Sequence, residues 1–420
     1  MYYARTIEKT LRSVSDSFPA LLLTGPRQVG KTTLLTRMAE ENRTIISLDN
    51  PTLRAAAINE PELFLQRYTP PVLIDEVQYA PELFDYIKIY VDKHKVSGDF
   101  WLTGSQTFHM MHRVTESLAG RVGVVRLLGL SNSEIQGTHF PAFSVDPNEL
   151  MRRMGETSAI DINDLYARIH KGSMPRLYES EIVSRDEYYE SYLETYISRD
   201  IKDLTQVANE LSFLRFIGIV AARTATNVNY DVLANEAGIS APTAKQWLSI
   251  LVSTGLVALV PPFSNNALKR VIKAPRMYFL DTGLCAYITG WSSPSVLERG
   301  AVAGAFFESW VVSEIIKSYI NNGKRPPLYF YRDSNKKEID IILSMDGMTQ
   351  PIEIKKGSAP KDAVKNFTVL RPLEKEPDED SLSEGTAHLK TEIGPGAVIC
   401  MAPDVLPIDK KNWYIPAWLI

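Results

Sequence analysis

The sequence predicts an α/β protein: a P-loop domain built on a parallel sheet, a helical winged helix-turn-helix, and a second α/β domain. Three observations predict it. Gly25-Pro26-Arg27-Gln28-Val29-Gly30-Lys31-Thr32 is a complete G-x-x-x-x-G-K-[ST] phosphate loop between the apolar run Leu21-Leu22-Leu23 and the helical stretch Thr33–Met38. Apolar strand-like runs alternate with helical patterns as far as about residue 140. The pattern changes twice after that, giving expected units 1–140, a linker and helical region 141–205, 206–262, a connector 263–299, and 300–420.

Bulk properties bound the rest. At 420 residues the chain is too long for one core. A net charge of −4 predicts no global attraction to polyanions, so any nucleic-acid surface must be local. Cys285 and Cys400 stand far apart with no metal or disulfide spacing, which fits a reducing cytoplasm. Met1–Arg5 has no apolar leader core, and no run reaches the ~20 apolar residues of a membrane span. A cytoplasmic protein without a membrane partner is expected.

The first unit should carry strands beginning at Leu21, Ile45, Val72, Phe100 and Val122. In the loop after the first of these, glycines let backbone N–H groups curl around a polyphosphate. Gly25 to Thr33 are therefore the nucleotide-binding residues. Lys31 neutralises phosphate charge, and Thr32 offers a magnesium ligand at a helix start. Val72-Leu73-Ile74 runs into Asp75-Glu76, about 43 residues after the loop. Asp75 would hold Mg²⁺ and Glu76 would activate the attacking water. Thr103-Gly104-Ser105-Gln106 ends another strand, where Ser105 or Thr103 could position that water; a plain polar turn is the alternative. Arg121 could reach a γ-phosphate of its own or a neighbouring subunit, and the latter would require a homo-oligomer. A surface ion pair is its commoner use.

Residues 141–165 read as loop and linker, and 165–204 as helical. Tyr189, Tyr192 and Tyr196 share a face at i, i+3, i+7, which suits packing better than ligand binding. Over 206–262, helices at 213–222 and 230–237, a turn at Gly238, a third helix capped by Ser240, and a wing strand at Leu256–Val260 have the spacing of a DNA-reading module. Its third helix offers only Lys245 and Gln246 outward. Lys269, Arg270, Lys273 and Arg276 follow the wing and could contact DNA phosphates without sequence preference; a solvated, ion-paired face is the alternative.

The last unit opens with an amphipathic helix at Phe306–Ile315. Strands at Leu328–Arg332, Ile339–Leu343 and Pro351–Lys355 follow. Glu353 and Lys355 share a strand face by period two, and Asp340 lies on the neighbouring strand. Two carboxylates converging on a divalent metal, with a lysine beside them, are the parts of a metal-dependent phosphodiesterase, and Glu308 could be a further ligand. A salt-bridged sheet edge is the bland alternative. Residues 374–384 form an acidic loop, and Trp413–Ile420 a closing strand.

The chain resembles a prokaryotic family that joins an AAA-superfamily-like ATPase domain to a C-terminal half of undefined function, with a winged helix and a PD-(D/E)xK nuclease-like domain. The residues that carry the likeness are Gly25–Thr32, Val72–Gln78, Leu102–Gln106, Ser117–Arg121, Tyr192–Asp200, Tyr278–Leu284, Phe307-Glu308, Glu338-Ile339-Asp340 and Glu353-Ile354-Lys355. The resemblance implies ATP binding and hydrolysis with Mg²⁺ at Lys31, Thr32, Asp75 and Glu76. It carries the nuclease-like residues over as a fold signature more than as catalysis. Three departures stand out: Gly129 where a proline is common, Ile339 before Asp340 where proline is usual, and no second arginine after Arg121 with a clear sensing role. The expected function is an ATPase whose nucleotide state moves the C-terminal domains, acting on DNA. An ATP-gated nuclease and a slow regulatory switch working through protein contacts are the alternatives.

Overall fold

The computed structural model describes residues 2–104, 113–114, 116–179, 184–196, 210–264, 274–333, 337–370 and 392–420. Five short strands, β1 (Ala20–Thr24), β2 (Thr44–Ser47), β3 (Val72–Asp75), β4 (Phe100–Thr103) and β5 (Val122–Arg126), form one sheet in the order β2-β3-β4-β1-β5. All neighbours are parallel. The three central strands β1, β3 and β4 are buried at every residue, as a sheet covered on both faces demands. Their starts fall within a residue of those expected. Because the strands are parallel, β1, β3 and β4 deliver the phosphate loop, Asp75 and Thr103 to the same edge, the usual place for a ligand in an open α/β sheet.

The segment read as linker holds a helix, Pro147–Glu156, started by the Asp146 side chain accepting from Asn148 N, with proline in the first turn. Its Arg153 is buried, donating to Pro141 O at 2.7 Å and Leu419 O at 3.3 Å, so the segment is packed into the body. The helical stretch after it is broken rather than continuous: Ile162–Lys171, Arg176–Glu179 and Arg185–Tyr196. Gly172 makes the first break with φ +85°, and a Cβ there would lie 2.1 Å from Tyr189 Oη and 2.5 Å from Asp281 Oδ1. Tyr189 and Tyr192 are buried, in keeping with a packing stripe; the Tyr196 side chain lies outside the description.

Helices Glu210–Ala222, Tyr230–Ala237 and Ala241–Ser253 come next, the last two capped by Asn229 and Ser240. They pack with a small antiparallel sheet of β6 (Thr226–Asn227), β7 (Val257–Val260) and β8 (Arg276–Phe279), in the order β6-β8-β7. β7 falls on the strand expected at Leu256–Val260. Its partner β8 comes from the stretch read as connector.

In the last part the helix Ala303–Asn321 is not amphipathic but buried on nearly every face. Ser313 Oγ donates to Leu280 O, and Glu314 accepts from Asn132 N at 2.7 Å, so other parts of the chain cover what would be a solvent face. Strands β9 (Leu328–Arg332), β10 (Glu338–Met345), β11 (Met348–Ile354), β12 (Glu392–Ile393), β13 (Gly396–Cys400), β14 (Leu406–Pro407) and β15 (Asn412–Pro416) form the second large sheet. It runs β14-β15-β13-β11-β10-β9, with β12 beside β11. The closing strand expected near the C-terminus is β15. Residues 374–384 lie outside the described residues, and no described helix is long and apolar enough to cross a membrane.

Candidate functional site

The phosphate loop crosses from β1 to the helix Lys31–Met38. Gly25 must be glycine, because a Cβ would meet Leu127 O at 2.0 Å. Gly30 (φ +89°) is the left-handed residue before the helix, whose free N–H groups and dipole face the loop. Lys31 is buried and donates to Gly25 O at 3.1 Å and Pro26 O at 2.9 Å, which folds its ammonium back over the loop. The Thr32 hydroxyl donates to Asp75 Oδ1 at 2.6 Å, and Ser47 Oγ donates to Asp75 Oδ2 at 3.3 Å.

Glu76 follows Asp75 with φ +57°, an unusual conformation for a residue with a side chain, and one that turns the chain sharply at the strand end. Its carboxylate accepts from Gln78 Nε2. Thr103 corrects one expectation. It is fully buried, donates its hydroxyl to Asp75 Oδ1 and accepts from Glu76 N at 3.2 Å, so it holds the Asp75 carboxylate and the Glu76 backbone and is not free to hold water. Ser105 and Gln106 lie outside the described residues.

Arg121 is misplaced for its own nucleotide. Its carbonyl accepts from Ala20 N, at the start of β1, whereas the phosphate loop leaves the other end. The strand between them spans roughly 13 Å, beyond the reach of the side chain. Arg121 pairs instead with Asp92 on the surface, at 2.5 and 2.9 Å. The reading from a neighbouring subunit is the one left.

The loop opens into a cleft of about 810 Å³. One wall is Arg27 to Thr33 with Asp49, Glu76 and Tyr79; the other comes from residues 175–195, including Arg176, Tyr188 and Ser191. Arg176 is exposed in this cleft and makes no hydrogen bond or ion pair among the described residues. The Tyr188 hydroxyl is buried without a hydrogen-bond partner, and burial raises its pKa far above the usual phenol value. A network anchored on Asp281 fixes this second wall. Its carboxylate accepts from Ser173 N (2.8 Å), Ser173 Oγ (2.6 Å), Tyr189 Oη (2.8 Å) and Leu284 N (2.7 Å). Gly129 is explained here, since a Cβ would meet Ser173 Oγ at 2.2 Å.

Two further arginines missed in the sequence hold the loop from behind. Arg5 donates to Val29 O at 3.1 Å and Leu128 O at 2.7 Å and pairs with buried Glu134. Half-buried Arg126 donates to Val252 O at 3.2 Å, and a Cβ on Gly255 would meet both its Nη2 and Pro26 Cγ at 2.9 Å. The end of the Ala241–Ser253 helix therefore rests directly on the phosphate loop.

The residues of the second expected site lie near one another. Lys355 Nζ lies 2.6 Å from Glu353 Oε1 and 3.6 Å from Asp340 Oδ2, and Asp340 also accepts from Ile354 N at 2.9 Å. Glu308 accepts from Tyr278 Oη at 2.8 Å. Burial first, and then the Asp340 charge, push both Glu308 and Glu353 up to about 7. Lys355 is raised despite its burial, by Asp340 and Glu353. The residue not foreseen here is Arg276. It was expected on a DNA phosphate, but it is buried, with Nη1 3.2 Å from Glu308 Oε1 and 3.8 Å from Asp340 Oδ1, and Nη2 against Glu338. Among the described residues no group of three or more acidic, His or Cys side chains is arranged to hold a metal. Lys245 is exposed on its helix, as a DNA contact requires; Lys269, Arg270 and Lys273 lie outside the described residues.

Comparison with known proteins finds three family models along the chain. Residues 17–136 match an AAA domain, 162–295 a domain of unknown function (DUF8612), and 303–420 another domain of unknown function (DUF4143). Uncharacterized proteins of Mycobacterium tuberculosis (Rv2008c) and Mycobacterium bovis (Mb2031c) are 29% identical over 352 residues, 83% of this chain and 73% of theirs. Among solved structures, the Walker-type ATPase Paby2304 of Pyrococcus abyssi is 16% identical, with a TM-score of 0.42 over 68% of this chain and 96% of that one. A RuvB variant of Thermotoga maritima is 17% identical, with a TM-score of 0.30 over 61% and 89%. Residues 17–136 thus match an AAA domain, and the regions after it match families of unknown function.

Proposed function

We propose that the cleft binds and hydrolyses ATP, and that the nucleotide state moves the C-terminal domains on DNA. The observation that carries the reading is the joining of Lys31, Thr32, Asp75 and Glu76 at one sheet edge, with the Thr32 hydroxyl 2.6 Å from Asp75 Oδ1. Two hard oxygens so close, at a helix start, fit a magnesium ion, which when bound neutralises phosphate charge as the γ-phosphoryl leaves. Lys31 turns from the loop carbonyls to the polyphosphate. Glu76, at the turn after Asp75, takes the proton of the attacking water.

The packing of Gly255 against Pro26 and Arg126 favours transmission of the nucleotide state, because phosphate in the loop presses on the domain that carries Lys245. DNA then enters through phosphate contacts at Lys245 and the 269–273 basic stretch. Phosphate release measured with and without Mg²⁺ tests the enzyme. Glu76→Gln should bind ATP within a few-fold of wild type and lose roughly 10²–10⁴ in turnover; normal turnover would remove Glu76 from its role. A salt titration of DNA binding with a slope near zero would favour the second reading, a switch that signals through protein contacts.

A further inference from the structure

The acidic cluster of the C-terminal domain already contains a cation, and the chain supplies it. We infer that Arg276 is the resident cation of this cluster, closing it to a divalent metal and leaving the domain without phosphodiesterase chemistry while the guanidinium is in place. The geometry accounts for each side of that guanidinium. Nη1 faces Glu308 at 3.2 Å and Asp340 at 3.8 Å, Nη2 meets Glu338, and Nε lies 3.4 Å from Asn227 Oδ1. Its flat face lies over Phe330, 5.0 Å from the ring centre. The residue is only 4% exposed.

The carboxylates are correspondingly committed. Asp340 Oδ2 accepts from Ile354 N and faces Lys355, Glu353 Oε1 is taken by Lys355, and Glu308 Oε1 is shared by Arg276 and Tyr278. Glu353 Oε2 is the one carboxylate oxygen of the cluster that is buried without a hydrogen-bond partner. A magnesium or manganese ion needs several oxygens and would have to displace the Arg276 and Lys355 contacts that Glu308, Asp340 and Glu353 already make. A dication entering here would also sit within a few ångströms of a fixed positive charge. Arg276 cannot drift away easily, because β8 holds it in register between Asn227 of β6 and Val260 of β7. Tyr278, two residues on, joins the same cluster from the same strand face. The inference stands apart from the nucleotide reading and survives its failure.

The test titrates Mn²⁺ alone into the nucleotide-free full-length chain and counts bound metal by the loss of the free-ion EPR signal. Binding at the cluster is the part that Glu353→Gln removes, which separates it from metal held at Asp75. Wild type and Glu353→Gln should give the same curve. Arg276→Met should gain a site at least 10-fold tighter than any Glu353-dependent binding in wild type, and the double variant with Glu353→Gln should lose it. A wild-type curve that weakens on Glu353→Gln overturns the inference, as does a folded Arg276→Met that gains nothing. Should Arg276→Met not fold, the wild-type pair decides alone: identical curves uphold the closed cluster, and a Glu353-dependent site refutes it.

Discussion

The two charged regions of this chain use arginine in opposite ways. In the nucleotide cleft Arg176 is exposed to open space beside the phosphate loop, with no anion of its own among the described residues. In the C-terminal cluster Arg276 is buried against Glu308, Glu338 and Asp340. A cation without a partner at the mouth of a cleft favours an incoming anion, since charge-assisted contacts are the strong ones and this one is not yet made. A buried cation already shared by carboxylates offers nothing to a ligand, and removing it strands the charges around it. The difference teaches that assembling the expected residues is not enough. What fills the centre of the group decides whether chemistry is available there.

The contrast breaks most visibly at Lys31. Lys31→Ala should weaken ATP binding by at least 100-fold, about 2.7 kcal/mol or more, in a calorimetric titration with magnesium. An affinity within threefold of wild type would place the polyphosphate elsewhere. A smaller effect sharpens the role of the second wall. Arg176→Ala should cost about 5–10-fold in ATP affinity, roughly 1–1.4 kcal/mol, and leave the thermal midpoint of the nucleotide-free chain unchanged. If affinity holds and the midpoint falls, Arg176 serves packing alone.

The smallest expected effect concerns pH. Glu308 and Glu353, raised to about 7, bind more protons folded than unfolded. Their contribution to stability is therefore full below about pH 4.5 and is lost as the pH rises through about 7. The urea midpoint of wild type minus that of Glu353→Gln should accordingly fall between pH 5 and pH 8. A constant or rising difference would mean that Glu353 is ionised throughout.

Much of the nucleotide cleft was legible in the sequence because local signals determine it. Parallel, doubly buried strands read as apolar runs, and the phosphate loop, Asp75 and Glu76 sit at strand ends that the chain itself marks. Arg5, Arg126 and Arg176 were not legible. Each is brought beside the loop by tertiary packing, and no spacing rule connects Arg176 with Lys31. Arg276 was misread for a related reason. A run of basic residues says nothing about which side of a strand each faces, and β8 turns Arg276 inward with Tyr278. The alternation Arg276-x-Tyr278, opposite a helix bearing Glu308, was the available hint. The helix expected at Phe306–Ile315 reads as having a wet face because that stretch includes Glu308, Ser309, Ser313 and Glu314; the observed helix Ala303–Asn321 also carries Lys317. Partners from other regions bury most of those polar groups, as with Glu314 against Asn132 and Lys317 against Leu130 O at 3.0 Å.

The account stands most directly on whether the cleft takes a triphosphate. Calorimetry of the full-length chain with ATP and magnesium should give one saturable association, with a stoichiometry near one per chain. A flat titration, in a preparation shown to be folded by its cooperative thermal unfolding, would contradict it.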